Sequence, residues 1–272
     1  MVSVNSSSDD TIKIPTGIEF FDKQIGGGLY PGMVLFIEEV GAGGREFALT
    51  SVCKNAKAGE HRAHPSEVLY VSISSSPREV VRDVKLTFPH ARLEDVLDSI
   101  KIKSLTELYF GKSIVPLSWV TDKRPSLKML KESEKDLLTE LVGVFDDVKE
   151  GSLVFLDSLS DLARLTRSRI SWNDLVDFIK GLRKLCVKKN VLLFSLLTKD
   201  MLEKSYEEEL LDQADGVLVF EWETEKEAIT RWMYIRKLVG ILPLLEKDKI
   251  AKYSVRIDPV EGFTISRFVR VL

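Results

Sequence analysis

The sequence alternates between short apolar segments and longer amphipathic segments, and this alternation constrains the fold more than any other feature. The apolar segments are continuous runs of Val, Leu, Ile and Phe, as in strands that are buried on both faces of a parallel sheet. The predicted strands are Val34–Glu38, Val68–Ile73, Leu153–Leu156, Val191–Leu196 and Gly216–Phe220. The predicted helices are Arg45–Ala58, Pro77–Thr87, Leu127–Lys149, Trp172–Lys188 and Lys204–Gln213. Alternating strands and helices predict an α/β fold in three layers, with helices on both faces of a mostly parallel central sheet.

The C-terminal part of the sequence has a different pattern. Three strand-like segments follow one another there with no helical segment between them: Ala228–Lys237, Lys252–Asp258 and Phe263–Val269. They predict a small antiparallel extension of the sheet rather than a second domain. The polar residues 1–11 are predicted to be a mobile tail, which leaves residues 12–272 as a single domain, a size that suits one large α/β unit.

Composition excludes several classes of protein. The formal net charge of −3 does not suit a protein that wraps nucleic acid electrostatically. Cys53 and Cys186 lie in apolar helical segments and are predicted to be buried free thiols. No third ligand accompanies His61 and His64, so we expect no metal site. Without a signal peptide or a run of membrane-spanning length, the chain is predicted to be cytoplasmic and to have no membrane partner.

A glycine-rich segment, residues 39–46, links the first predicted strand to the first long helix. A phosphate-binding loop in this position has the pattern GxxxxGK[ST]: its glycines let backbone N–H groups face the phosphates, its lysine reaches the β- and γ-phosphates, and its hydroxyl binds magnesium. Here Glu39 stands at the first glycine, Arg45 at the lysine and Glu46 at the hydroxyl residue. The segment therefore has the context of a phosphate-binding loop without its chemical groups.

Four segments of the chain together resemble the KaiC/RadA branch of the RecA superfamily. They are Ile14–Gly32 with its Thr-Gly, Phe-Asp and Gly-Gly-Gly-Leu groups, the Leu69–Pro77 strand, the Walker B-like Gly151–Leu159 strand, and Ile235–Gly240. The resemblance covers about residues 12–270. It implies a RecA-like three-layer fold, with the antiparallel extension at the C-terminus, and a nucleotide site at the glycine-rich segment.

The resemblance also assigns positions, some retained and some lost. The retained positions are Gly44, the Walker B-like Asp157 and Ser158, and Lys237 and Gly240 of the family's KxRG strand end. The lost positions are Ser74 and Ser75, where the family has its water-activating glutamates, and Val239, where it has the arginine. The resemblance therefore implies no catalytic residues and no required cofactor, and it disfavours binding of ATP with magnesium.

The residues of the loop permit a purely structural interpretation. Gly41, Gly43 and Gly44 predict a tight turn from strand to helix that needs positive φ angles. Because a carboxylate is favourable in the first turn of a helix, Glu46 is expected to take the place of a bound anion. Arg45 is then expected to pair with a neighbouring acid, Glu38 or Glu39.

The hypothesis that these features favour is a non-catalytic, regulatory RecA/KaiC-like protein that binds a protein or peptide partner or a second copy of itself. The resemblance implies this alternative because family members assemble edge to edge. Residues Leu105–Pro125 are predicted to form a long apolar loop on the core, and Tyr109, Phe110 and Trp119 are its candidate partner residues. The aromatic strand from Trp222 to Tyr234 is a second candidate surface.

Two other functions stay open. The first is an ATP-binding protein or slow ATPase in which Arg45 replaces the lysine. The second is a DNA-binding recombination accessory protein, for which Arg164, Arg167 and Arg169 are the candidate contacts. The acidic balance of the whole chain disfavours nucleic acid as a partner.

Overall fold

One mixed sheet of nine strands organises the molecule, which we describe from a computed structural model covering residues 13–57, 64–121, 136–225, 228–241 and 252–267. The strands are β1 (Gly32–Glu38), β2 (Val68–Ser72), β3 (Ile100–Ser104), β4 (Leu153–Asp157), β5 (Leu192–Thr198), β6 (Gly216–Glu225), β7 (Ala228–Leu238), β8 (Tyr253–Asp258) and β9 (Gly262–Arg267). Their order across the sheet is β3-β2-β4-β5-β1-β6-β7-β8-β9. Strands β1 to β6 pair in parallel, and β7, β8 and β9 continue the sheet in antiparallel fashion.

Helices cover both faces of this sheet. Those that the described residues form are α1 (Glu19–Gln24), α2 (Gly44–Lys57), α3 (Pro77–Thr87), α4 (Glu94–Asp98), α5 (Thr106–Phe110), α6 (Leu117–Val120), α7 (Leu137–Asp146), α8 (Leu159–Leu165), α9 (Trp172–Lys188) and α10 (Lys204–Gln213). The predicted α/β architecture with its antiparallel extension is confirmed. The predicted tail, residues 1–11, lies outside the described part of the chain.

The three layers follow from the pleat of the parallel strands. Successive side chains of β1 point to opposite faces, and every residue of this strand is buried. Phe36 belongs to the core beneath α2, whereas Leu35 belongs to the core beneath α9. A strand that is buried on both faces has to be apolar throughout, which is why its continuous hydrophobic run predicted it.

An aromatic cluster fixes where helix α2 starts. Phe47, in the first turn of α2, is fully buried, and the centroid of its ring lies 5.1 Å from the centroid of Phe36 and 5.1 Å from that of Phe263. In α1, the carboxylate of Asp22 accepts hydrogen bonds from the backbone N–H groups of Thr16 and Gly17 and closes the N-terminal turn. The Thr-Gly and Phe-Asp groups of the sequence thus have a structural role.

Several elements differ from the sequence-based expectation. Strand β3 was not predicted, because its five residues alternate Ile and Lys and bury one face only weakly. The segment Leu105–Pro125 is not a simple loop, since it contains α5 and α6, and its residues beyond 121 are not described. The predicted helix Leu127–Lys149 is described as α7, which Asp136 caps by accepting a hydrogen bond from the Thr139 amide. Residues 127–135 of that prediction lie outside the described chain.

Two simpler expectations concern cysteines and membranes. Cys53 and Cys186 are both buried and both free thiols, as predicted. Among the helices of the described residues, none combines the length and the apolar character that crossing a bilayer requires.

Candidate functional site

The glycine-rich segment lies at the carboxyl edge of the parallel strands, where β1 passes into α2. The last residue of β1, Glu38, pairs with Thr198 at the end of β5, and Asp157 at the end of β4 pairs with Ser72 of β2. In open parallel sheets the side chains that bind ligands collect at this edge. The structure therefore brings the loop residues and the Walker B-like Asp157 to the same edge.

The carboxylate of Glu38 occupies the interior of the loop. Its Oε1 atom accepts hydrogen bonds from the backbone N–H groups of Gly43 at 3.0 Å and Gly44 at 3.1 Å. Its Oε2 atom accepts a third from the N–H group of Arg45 at 3.2 Å. An anion of the protein itself thus binds the amides at the start of α2, the position where a helix dipole favours negative charge.

Burial makes this carboxylate unusual. Glu38 is only 5% exposed, and burial raises the pKa of its carboxyl group from 4.5 to about 7. The three amide hydrogen bonds oppose that rise in pKa, while the negative charge of Glu46 adds to it. Glu38 therefore changes its charge near neutral pH.

The glycines of the loop have steric reasons for being glycine. Gly41 and Gly43 have φ angles of 78° and 113°, which side chains rarely adopt. A Cβ atom on Gly43 would lie 3.1 Å from the ring of Phe263, and one on Gly44 would lie 3.0 Å from the ring of Phe220. The predicted tight turn is present, with positive φ angles at Gly41 and Gly43 but not at Gly44, which is the first residue of α2. Strands β6 and β9 pack against the turn too closely for larger residues.

The side chain of Arg45 crosses to the ends of β2 and β4. Its Nη2 atom donates to Asp157 at 2.9 Å, lies 3.3 Å from the carboxylate of Asp83 on α3, and lies 3.4 Å from the hydroxyl of Tyr70. The Tyr70 hydroxyl also donates to Asp157, at 2.5 Å. Burial raises the pKa of Asp157, against the opposing charge of Arg45 and the hydrogen bond from Tyr70. The Walker B-like carboxylate is thus neutralised by a protein cation.

Two expectations about the charged side chains of the loop are wrong. Arg45 was expected to pair with Glu38 or Glu39, but its guanidinium group binds the buried Asp157, because an unpaired charge there would cost far more than one at the surface. Glu46 was expected to act as the internal anion, but Glu38 takes that role. The Oε2 atom of Glu46 is buried and has no hydrogen-bond partner among the described residues.

Side chains of β6 and β7 form hydrogen bonds to the outer part of the loop. The indole Nε1 of Trp222 donates to the carbonyl of Val40 at 3.0 Å, and the Nε of Arg231 donates to the carbonyl of Gly41 at 2.9 Å. The guanidinium carbon of Arg231 lies 4.3 Å from the centroid of the Trp222 ring, at stacking distance. Trp222, which was a candidate for a partner surface, therefore contacts the loop of its own chain.

Glu39 forms an ion pair with Lys199 that also holds the loop in place. Its carboxylate accepts a hydrogen bond from Lys199 at 2.7 Å and another from the backbone N–H group of Trp222 at 2.9 Å. Lys199 also donates to Glu221 at 2.9 Å. The hydrogen bond from Lys199 lowers the pKa of Glu39, a shift opposite in direction to that of Glu38. At the position of a family glycine, the chain has a side chain that fastens the loop to β5 and β6.

A cavity of about 350 Å³ lies beside the loop, between α2, α3 and β8. Its polar lining residues are Arg45, Glu46, Asp83 and Thr87, and its apolar lining residues are Leu49, Leu86 and Ile257. The Nε atom of Arg45 is buried and has no acceptor among the described residues. Among the same residues, no group of three or more His, Cys, Asp or Glu side chains is arranged to hold a metal ion.

The serines at the lost glutamate positions make local hydrogen bonds. The Ser74 hydroxyl donates to Asp161 at 2.9 Å, and the Ser75 amide donates to the Ser72 hydroxyl at 3.0 Å. Ser76 is the N-cap of α3, in a capping box with Glu79, and Pro77 follows it as the first residue of the helix. Hydroxyl groups cannot replace a carboxylate as general base for water.

Ser158, the residue after the Walker B-like aspartate, has a structural role in the next helix. Its side chain caps α8 by accepting a hydrogen bond from the amide of Asp161. It also donates to the Asp161 carboxylate at 3.1 Å. Of the retained Asp-Ser pair, Asp157 therefore forms an ion pair with Arg45, and Ser158 caps a helix.

The residues that match the family's KxRG strand end are not brought to the loop. Leu238 of β7 pairs with Gly216 at the start of β6, the end of that strand far from the loop. Lys237 donates to the carbonyl of Asp212 at 2.9 Å, in the last turn of α10. Val239 is 58% exposed, and Gly240 has a φ angle of 75° in the following turn.

The candidate partner residues of the 105–121 segment divide between core and surface. Tyr109 is buried, and Phe110 packs partly buried against the same core. Trp119 is 81% exposed, and Ile114 nearby in sequence is 99% exposed. Of the candidate DNA contacts, Arg169 donates to the carbonyl of Tyr109 at 2.7 Å, which gives it a structural role.

The role of Glu38 as the internal anion was not predicted from the sequence. The sequence indicated Glu38 only as the end of a strand and as a possible partner of Arg45, although a carboxylate that closes an apolar run directly before a glycine-rich turn is an available signal. No local sequence pattern predicts the other side chains that contact the loop, because each comes from a distant part of the sequence. They are Tyr70, Asp83, Lys199 and Arg231.

The sheet order, the loop at its carboxyl edge and the antiparallel extension together define a RecA/KaiC-like fold. The chain is similar to the flagellar accessory protein FlaH from Methanocaldococcus jannaschii, with a TM-score of 0.64 and 14% identity over 95% of this chain and 100% of that one. It is also similar to the KaiC-like protein PH0186 from Pyrococcus horikoshii OT3, with a TM-score of 0.59 and 18% identity over 93% of this chain and 98% of that one. No protein-family model matches the sequence, and no curated protein matches it.

Proposed function

We propose that the chain is a non-catalytic RecA/KaiC-like protein, a pseudo-ATPase with a degenerate Walker A segment. The observation that carries the proposal is the Glu38 carboxylate, which accepts hydrogen bonds from the amides of Gly43, Gly44 and Arg45. Those amides are the groups with which such a loop would bind a phosphate. A phosphate of a nucleotide would have to displace a buried anion of the protein.

The charged neighbours of the loop support the same proposal. Phosphoryl transfer needs a mobile cation at the γ-phosphate and a metal ion held by a hydroxyl and a carboxylate. Here Arg45 is bound to Asp157, the carboxylate that would have helped to hold the metal ion. Glu46 stands at the hydroxyl position and would repel a phosphate at short range.

The test is a calorimetric titration of the wild-type chain with ATP and magnesium, and separately with ADP and magnesium. We expect no saturable heat, no rise in the thermal midpoint, and no hydrolysis above that of an Arg45→Ala variant. Micromolar binding together with magnesium-dependent hydrolysis that Arg45→Ala abolishes would contradict the proposal and support a slow ATPase instead.

We propose that the protein acts through contacts with other protein chains, including a second copy of itself. The exposed side chains of Ile114 and Trp119 support this, since large apolar groups at the surface are typical of interfaces. An accessory role agrees with the similarity to FlaH, which is described as a flagellar accessory protein. The internal role of Arg169 gives no support to the DNA-binding alternative.

A further inference from the structure

The start of α2 keeps the geometry of an anion-binding cradle although an acid of the chain fills it. The N–H groups of Gly43, Gly44 and Arg45 converge on one carboxylate, with N···O distances of 3.0, 3.1 and 3.2 Å. Helix α2 has 14 residues, long enough for the full effect of its dipole at this end. The positive φ angle of Gly43 orients these amides inward.

We infer that Glu38 is an intramolecular plug, which competes with a phosphate-sized oxyanion for a cradle that the chain still builds. The inference rests on the proposed function, because it explains physically why the wild-type chain would bind no nucleotide. It also goes beyond that function, since it attributes the lack of binding to one removable side chain rather than to a collapsed loop.

The surroundings of Glu38 make its ionised form energetically unfavourable. Glu38 is only 5% exposed, and the acidic Glu46 lies in the first turn of α2, next to the amides that Glu38 binds. Burial of a charge and repulsion between like charges both disfavour the ionised form. An oxyanion that entered in place of Glu38 would retain the three amide donors without adding a further carboxylate.

Arg45 carries a further hydrogen-bond donor in addition to its backbone amide, and it borders a cavity. The Nε atom of Arg45 is buried with no acceptor among the described residues, so it is a hydrogen-bond donor in excess. Arg45 also borders the cavity of about 350 Å³ beside the loop. Arg45 thus contributes both the third amide of the cradle and part of the wall of that cavity.

The chain offers a matched control in the next residue. Glu39 is an acidic residue of the same loop, but its carboxylate binds Lys199 and the Trp222 amide outside the cradle. At pH 9, above the pKa of about 7 of Glu38, both carboxyl groups are ionised, and substitution of either one removes the same charge. Only substitution of Glu38 vacates the three amides.

The experiment is a calorimetric titration of the full chain with inorganic pyrophosphate at pH 9, in wild type, Glu38→Ala and Glu39→Ala. We expect Glu38→Ala to bind pyrophosphate at least about tenfold more tightly than the other two proteins, and Arg45→Met in the Glu38→Ala background to weaken that binding. If Glu38→Ala does not fold, Glu38→Ser serves, because its small hydroxyl leaves the amides equally accessible.

The outcomes separate this inference from the proposed function. Equal and undetectable binding by all three folded proteins would overturn the plug, while the wild-type chain would still be a pseudo-ATPase. Equal tightening in Glu38→Ala and Glu39→Ala would also overturn it, because net charge alone would then explain the effect. Tight binding of nucleotide by the wild type would instead contradict the proposed function.

Discussion

At the scale of single residues, Glu38 decides the character of the site. A buried carboxylate whose pKa rises to about 7 is more stable when protonated, so its ionisation must weaken the folded state. The folded pKa lies above the unfolded value of 4.5, and stability is therefore lost as the pH rises from about 4.5 to about 7. The full loss is about 3 kcal/mol.

A Glu38→Gln variant removes this titration and keeps the shape of the side chain. We expect its free energy of unfolding, measured in urea, to exceed that of the wild type by about 2 kcal/mol at pH 8, since one amide hydrogen bond is lost while the buried charge is removed. The advantage should vanish below about pH 5. Circular dichroism at several pH values gives both curves.

Glu39→Gln is the control for this measurement. The pKa of Glu39 is lowered by its hydrogen bond from Lys199, so its contribution to stability is present at neutral pH and is lost as the pH falls. We expect this variant to gain no stability at pH 8. A stability difference between wild type and Glu38→Gln that does not change with pH would contradict the assignment of a neutral pKa to Glu38.

At the scale of elements, the β6–β7 hairpin restrains the loop that follows β1. Trp222 of β6 and Arg231 of β7 pair directly with each other across the hairpin. Their side chains bind the carbonyls of Val40 and Gly41. Because a loop held by a paired hairpin opens only when the hairpin contacts break, its amides should exchange slowly.

A Trp222→Phe variant removes the indole donor and retains an aromatic ring. We expect hydrogen exchange at the Gly43 and Gly44 amides to accelerate by about three- to tenfold, as loss of one net hydrogen bond implies. Trp172→Phe is the matched control, since the Trp172 indole donates to Glu209 far along the chain from the loop. Equal exchange rates at Gly43 and Gly44 in wild type and Trp222→Phe would show that the hairpin does not restrain the loop.

The elements also show what sequence patterns can predict. The central strands β1, β2 and β4 were predictable because burial on both faces leaves an uninterrupted apolar run. Strand β3, at one edge of the sheet, has no such run, and short helices such as α5 have too few residues to show a period. The tight turn was predictable from the glycines of the loop, whereas the hydrogen bonds of Glu38 depend on tertiary geometry.

At the scale of the whole molecule, the fold leaves a large apolar side chain at the surface without a role in the core. Trp119, in the short helix α6, is 81% exposed, although tryptophan is among the residues most enriched at protein interfaces. By contrast, Tyr109 of the same segment packs against the core. The proposed partner surface therefore includes Trp119 but not Tyr109, and it is smaller than the one that the sequence suggested.

Sedimentation velocity over a series of concentrations tests the proposed self-assembly. We expect the wild-type chain to associate as its concentration rises and Trp119→Ser to associate more weakly, because the variant removes the exposed indole. Val187→Ser, at a 53% exposed position on α9, is the control and should behave as the wild type. A wild-type chain that remains monomeric at every concentration would contradict self-assembly.

A crystal structure of the chain grown with ATP and magnesium at neutral pH will show whether an acid of the chain occupies the place of the phosphate. We expect the Glu38 carboxylate to lie at the amides of Gly43, Gly44 and Arg45, with Arg45 still bound to Asp157 and no nucleotide in the loop. Electron density for a phosphate group on those amides, with Glu38 displaced, would contradict this expectation.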